Sequence, residues 1–432
     1  MSKKIKIIFI SAFIFRLVLA PLTQHPDVID NLNWGKDLRA NGLKGFYQRD
    51  IPDAGPPNYP PLYYYINLTN QLFYENVKGV LWKINLTVPA FPSNLYLWFE
   101  SKSGNIFFNK LPAIFADIGI SFLIYKIVKE LKDQKKAEKS AALFLFLPPS
   151  WYLSAVWGQT DSLYIFFILA SFLALIKRKW TGLGILYLLS FLIKPTAIII
   201  LPLFIFIYFK NFSFRNFVYT SFLSLFLLTL FAFPFLDEVS VRNILDLYKN
   251  NIREVTGYLT ANSFNLWSLV YGLAPISDST KILGIPAFRL GEILYFILTV
   301  FVIFKVKVKD HKSILYSFLI LSLGAFLILT KMHERYYFLT FIFLALLSGV
   351  DKKLRNIYYL DSLLFFINLY HFWWMPKVAF LINILSQNLV EKLLAILNIL
   401  LFFNLIKNYV GIPKAINREN LYNKFKWIRN SL

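Results

Sequence analysis

Several short polar motifs interrupt an otherwise apolar chain, and their residue types are those of acid–base and anion-binding chemistry. The first is His25-Pro26-Asp27-Val28-Ile29-Asp30-Asn31-Leu32-Asn33-Trp34. Asp27, Asp30, Asn31 and Trp34 stand at i, i+3, i+4 and i+7, so a helix there places all four on one face. Pro26 suits a first helical turn, and an acid beside it complements the helix dipole. This spacing fits a capped surface helix with an interfacial Trp, and equally a partly desolvated carboxylate whose basicity is raised toward that of a general base. Spacing alone leaves both readings open. Two carboxylates without a third ligand make a poor metal site, so no metal and no other cofactor is expected.

Later motifs supply other functional groups. Trp157-Gly158-Gln159-Thr160-Asp161-Ser162 opens an apolar stretch; Gln159 and Asp161 offer groups suited to sugar hydroxyls, or the Asp and Ser cap the next helix. Lys194-Pro195 lies between apolar runs. A cation there either snorkels to an interface or serves an anionic partner. Asn262-Ser263-Phe264-Asn265-Leu266-Trp267 reads locally as a polar cap before an amphipathic turn. In Lys331-Met332-His333-Glu334-Arg335-Tyr336, His333 and Arg335 are suited to clamp a phosphate, with Glu334 orienting one of them. A solvated turn is the plainer reading.

The elements that must position these motifs are apolar helices. The 432 residues are 57% hydrophobic, 19% aromatic and only 16% charged, far from the usual soluble domain. Apolar stretches at 5–22, 106–127, 141–156, 163–176, 182–192, 196–209, 217–235, 290–304, 314–329, 337–347, 357–372 and 390–406 predict an all-α polytopic membrane protein with about twelve transmembrane helices. A partial or re-entrant segment is expected at 378–385. Val18-Leu19-Ala20 mimics a cleavage site, but Pro21 follows at once, so the first helix is expected to stay uncleaved. The chain has no Cys, which excludes disulfides and thiolate metal sites.

The net charge of +22 is unevenly spread. Basic residues gather at Lys3, Lys4 and Lys6, in connections 126–139, 177–179, 210–215, 305–312 and 352–355, and in the tail at Lys414, Arg418, Lys424, Lys426 and Arg429. The intervening connections are balanced. This pattern predicts cytoplasmic termini and favours contact with anionic lipid over nucleic acid. Residues 1–432 then form a single integral membrane domain with two long outward loops, 23–109 and 236–288. The first is rich in Pro, Tyr and Trp, so it is expected to fold back on the membrane surface, with amphipathic pieces near 27–40 and 63–81.

In chain order, the Asp27 segment, Tyr59-Pro60-Pro61-Leu62-Tyr63, Trp157-Gly158-Gln159, Lys194-Pro195, Asn262 to Trp267 and His333-Glu334-Arg335-Tyr336 resemble the GT-C superfamily of membrane glycosyltransferases. The similarity runs to prokaryotic mannosyltransferases related to the second mannosyltransferase of GPI-anchor synthesis. It extends more distantly to dolichyl-phosphate-glucose-dependent glucosyltransferases. That resemblance implies a GT-C-like bundle, a polyprenyl-phosphate-sugar donor with its sugar outside, a lipid-linked or glycan acceptor, and an inverting displacement with Asp27 as catalytic base. Many relatives carry a second acid two residues on; here that position is Ile29, and Asp30 is at most an assistant. Arg335, His333 and Lys194 would then hold the donor phosphate, and Gln159, Asp161 and Asn265 the sugar hydroxyls. Trp34, Tyr59 and Trp157 would stack on sugar or polyprenyl. The expected location is a prokaryotic plasma membrane, with the active site extracytoplasmic. A lipid-linked-sugar flippase should show internal repeats, and none is apparent; a polysaccharide polymerase or ligase should carry its large loop late in the chain.

Overall fold

The computed structural model describes residues 2–238, 240–252 and 257–411; the basic tail from Lys414 onward lies outside them. Among the described residues the fold is almost entirely helical. The helices are α1 (Lys3–Leu19), α2 (Pro26–Asn41), α3 (Pro61–Thr87), α4 (Ser93–Glu100), α5 (Lys102–Leu131), α6 (Gln134–Phe146), α7 (Pro148–Trp151), α8 (Asp161–Ile176) and α9 (Trp180–Ile193). They continue with α10 (Leu201–Lys210), α11 (Phe214–Ala232), α12 (Val241–Ile252), α13 (Leu266–Tyr271), α14 (Ala287–Lys305), α15 (His311–Ile328), α16 (Phe338–Val350), α17 (Arg355–Phe372), α18 (Ala379–Leu385) and α19 (Asn388–Val410). One two-residue hairpin pairs Lys281–Ile282 with Ile285–Pro286.

Every apolar stretch read from the sequence is helical, although 141–156 and 196–209 are each divided between successive helices. Among the described residues six helices are long and apolar enough to cross a membrane, or seven if the bent pair Gln134–Phe146 and Pro148–Trp157 is one span. Helices α8, α9 and the Pro195–Lys210 stretch are apolar but shorter. The chain is therefore an all-α polytopic membrane protein. Its core is the α15–α16 pair, buried along nearly its whole length. Helix α11 presents Phe214, Phe222, Leu225 and Phe226 outward, an apolar surface suited to lipid and costly in water.

Residues 23–109 are built mostly of helix rather than loop. Pro26 and Pro61 each occupy the first turn of a helix, where the missing N–H costs nothing. Helix α2 packs on α3 and α5. Its C-terminus is closed by Arg49, which donates to Asp37 at 2.6 Å and to the carbonyls of Asn41, Gly42 and Lys44. That cation meets the negative end of the helix, so α2 is held at the end remote from Asp27.

Candidate active site

At the other end of α2, His25 is the cap. Its backbone is extended and its Nδ1 accepts the Asp27 N–H at 3.1 Å. Burial, against an opposing pull from the Asp27 charge, lowers the imidazole pKa to about 4. The ring is thus neutral at ordinary pH, as an accepting Nδ1 requires. The Asp27 carboxylate stands just inside the helix with its side chain 36% exposed. Its Oδ2 accepts from Trp157 Nε1 at 3.3 Å and from Gln159 Nε2. Among the described residues, no side-chain donor reaches Oδ1.

Trp157 and Gln159 arrive by an unusual route. The chain bends by 52° between Phe146 and Pro148, and then Tyr152–Trp157 form a π-helical turn. The turn ends at Gly158, where φ is +90°, a conformation other residues adopt only with strain. Space is equally restrictive: a Cβ on Gly158 would lie 2.3 Å from Val28 Cγ2. The absence of a side chain lets the turn approach the first turn of α2 closely, bringing both donors onto Asp27. Trp157 is fully buried and packs against Phe372 at 5.3 Å and His25 at 4.6 Å. What it presents to the site is its N–H.

The face of α2 that carries Asp30, Asn31 and Trp34 receives a strap formed by the residues before α3. Asp30 Oδ1 accepts the Gly55 N–H at 3.2 Å, and Trp34 Nε1 donates to the Gly55 carbonyl at 2.9 Å. Burial, followed by the neighbouring Asp27 charge and opposed by the Gly55 N–H, leaves Asp30 above the usual carboxylate range. Trp34 is buried among Tyr59, Tyr63 and Tyr64. Tyr59 stacks on Tyr63 at 4.2 Å, and its backbone is held by the hydroxyls of Tyr47 and Tyr64. Tyr63 joins the three parts: its hydroxyl donates to Asn31 at 2.5 Å and lies 3.0 Å from Thr160 Oγ1.

The basic side of the site comes from 330–337. Ala261 pairs with His333 in a parallel bridge, and the Met332 carbonyl accepts from Ala261 N and Ser263 Oγ. The Asn262 to Asn265 loop that does this is itself anchored by Asn368, His371 and Asn398. Asn265 is fully buried and caps α13 in a reciprocal box with Ser268. It supports the loop and does not face the carboxylate.

Arg335 NH1 lies 3.2 Å from Glu334 Oε1 and 3.5 Å from His333 Nδ1. The carboxylates acting on Arg335 include Asp27 as well as Glu334, and Tyr59 lies in the same neighbourhood, which brings the basic motif into electrostatic reach of the carboxylate. Burial lifts Glu334 to about 7. Burial, helped by the Arg335 and Lys194 charges, holds His333 well below its ordinary value. Lys194 meets Asp161 at 2.6 Å in a buried ion pair, and its ammonium lies 5.0 Å from the Tyr336 ring. Among the described residues no three His, Asp or Glu side chains gather as a metal-ion set.

Among the buried charged residues that the sequence motifs did not take in are Arg16, Asp117 and Lys110. Arg16 and Asp117 pair at 3.1 Å with no exposure, and Asp117 also accepts from Ser154 and Ser162. Lys110 is fully buried behind Gly158. The signal available was an ionisable residue inside an apolar stretch, which is costly unless partnered.

The structure thus gathers Asp27, Gln159, Trp157, Tyr59, His333, Glu334 and Arg335 around one place, with the Lys194–Asp161 pair behind it. No protein of curated function matches the chain. The family model of glycosyltransferase family 87 matches residues 113–331, taking in Trp157, Gln159, Asp161, Lys194 and Asn265 and stopping just short of Arg335. That match covers just over half of the chain, which therefore belongs to glycosyltransferase family 87 and is a membrane glycosyltransferase.

Proposed function

We propose that the chain transfers a hexose, mannose before glucose, from a polyprenyl-phosphate carrier to a hydroxyl of a lipid-linked or glycan acceptor at the outer face of a prokaryotic plasma membrane. In this reading about twelve helices cross the bilayer and both termini are cytoplasmic. The observation that carries it is the setting of Asp27: one carboxylate oxygen is held by Trp157 and Gln159, and the side chain stays accessible. Oδ1 takes the proton of the acceptor hydroxyl as its oxygen bonds to the anomeric carbon. On the opposite side the bond from that carbon to the phosphate oxygen breaks, and the electron pair leaves with the polyprenyl phosphate. The sugar inverts.

The departing phosphate needs fixed positive charge in a place poor in water. Arg335 supplies it, as a fork that has one buried nitrogen, Nε, without a hydrogen-bond partner among the described residues. A neutral His333 donates rather than attracts by charge. Support for a lipid carrier comes from an apolar cavity of about 450 Å³ between α3 and α5, lined by Leu62, Ile66, Phe73, Leu111 and Phe115. It begins one residue from Tyr63.

The test uses membranes containing the protein, with polyprenyl-phosphate-mannose and -glucose offered separately. Transfer from the mannose carrier, lost in Asp27→Asn with folding intact, is expected; loss of a positioned base costs about 100- to 10,000-fold. Full activity in Asp27→Asn removes the central role of that residue. Carrier translocation without sugar transfer turns the reading toward a flippase.

A further inference from the structure

Lys110 lies near the start of α5 and is fully buried. An ammonium has three N–H donors and no acceptor. Five oxygens surround this one: the carbonyls of Ala20 at 2.9 Å, Thr23 at 2.8 Å, Ala155 at 3.0 Å and Val156 at 2.9 Å, with Thr23 Oγ1 at 3.1 Å. These acceptors belong to two chain segments. Ala20 and Thr23 end the first helix, whereas Ala155 and Val156 end the π-helical turn. Both are places where carbonyls lack helical partners and the helix dipole is negative. Thr23 Oγ1 also donates to the Val156 carbonyl, closing the ring. None of these contacts leaves a donor aimed at substrate.

The two segments are those that build the site. A few residues beyond Thr23 the chain reaches His25 and Asp27; just beyond Val156 it reaches Trp157 and Gln159, the donors to Asp27. The stem of Lys110 also forms the floor beneath Gly158, where a Cβ would lie 2.9 Å from Lys110 Cγ. We infer that Lys110 is a positioning residue for the transfer reaction: by clamping both helix ends it sets the distance between the base Asp27 and its two donors. This rests on the reading of Asp27 as base. Neither neighbouring segment offers Lys110 a carboxylate, so its contribution is geometric rather than that of an ion pair.

The test separates geometry from chemistry. Because the chain has no Cys, an Asp27→Cys/Gln159→Cys pair introduces the only thiols, and their bridging by dibromobimane in membranes reports the spacing directly. Bridging is expected to slow several-fold when Lys110→Met is added and to recover in part with Lys110→Arg. In chains that keep Asp27, Lys110→Met should lower kcat about 100-fold, the cost of an ångström-scale misplacement, while donor KM stays within about threefold. Lys110→Arg should restore part of kcat. Thr23→Val, which removes one acceptor without stranding a buried charge, should move both readouts the same way by less, and serves if Lys110→Met does not fold. Unchanged bridging in Lys110→Met and Thr23→Val overturns the inference, whether or not activity falls. Lys110-dependent bridging in a protein that transfers no sugar sustains the clamp and removes the function proposed for Asp27.

Discussion

Lys194 and Asp161 are 2.6 Å apart, both buried, and join the end of α9 to the start of α8. Among the described residues the second oxygen of Asp161 has no hydrogen-bond partner, so the carboxylate depends heavily on this one cation. Removing one member of a buried pair leaves an uncompensated charge and costs about 3–5 kcal/mol. Lys194→Met should therefore lower the melting temperature in detergent sharply, and Lys194→Met/Asp161→Leu should recover much of the loss. A large rise in donor KM with unchanged melting would instead assign the ammonium to the donor phosphate.

Gly158→Ala faces two independent obstacles, the positive φ and the contact with Val28. The turn must shift, carrying Trp157 and Gln159 off Asp27, and kcat should fall about 100-fold. Adding Val28→Ala removes the contact but not the backbone cost of about 1–2 kcal/mol, so recovery should be partial. Steady-state kinetics of the three variants decide this; wild-type kcat in Gly158→Ala would refute it.

Tyr63→Phe removes one hydroxyl and leaves the Asn31 and Thr160 oxygens short of a partner in a buried place. The expected loss is about 1–3 kcal/mol, read as a lower midpoint of thermal unfolding. The contact joins α2, α3 and the turn before α8, so the lower midpoint reports the loosening of all three. An unchanged midpoint would show that the three parts are held otherwise.

His25 gives the pH dependence. Its imidazole titrates near 4 when folded and near 6.5 when unfolded. Between those values the unfolded chain binds the extra proton, so stability is fully present above pH 6.5 and drains away as pH falls toward 4. The full contribution is roughly 3 kcal/mol. His25→Asn keeps a capping oxygen but not the titration. Melting curves from pH 7 to 4.5 should fall more steeply for the wild-type protein; parallel curves would contradict the assignment.

The helices were legible because apolar runs of membrane-spanning length have few other structures open to them. The helical start at Pro26 and a polar cap within 262–267 were legible too, since a Pro in a first turn and a side-chain cap are local chemistry. What stayed hidden is long-range. Nothing near Lys194 names Asp161 as its partner, and nothing near Trp157 says that Phe372 packs on its ring. Trp34 looked free to stack on a sugar until the strap through Gly55 covered it. The π-helical turn was invisible for another reason: hydrophobic periodicity does not distinguish it in a segment buried on every side.

That turn ties the site to the length of the chain. A π-turn holds one residue more than the α-helix it replaces, and each residue advances an α-helix by about 100°. Deleting any single residue from 152–156 would therefore yield a more regular helix and swing Trp157 away from Asp27. A protein shortened there by one codon would keep its span and its hydropathy while losing the arrangement around its carboxylate. Length in this short interval is a better marker of the site than the identity of the apolar residues that fill it.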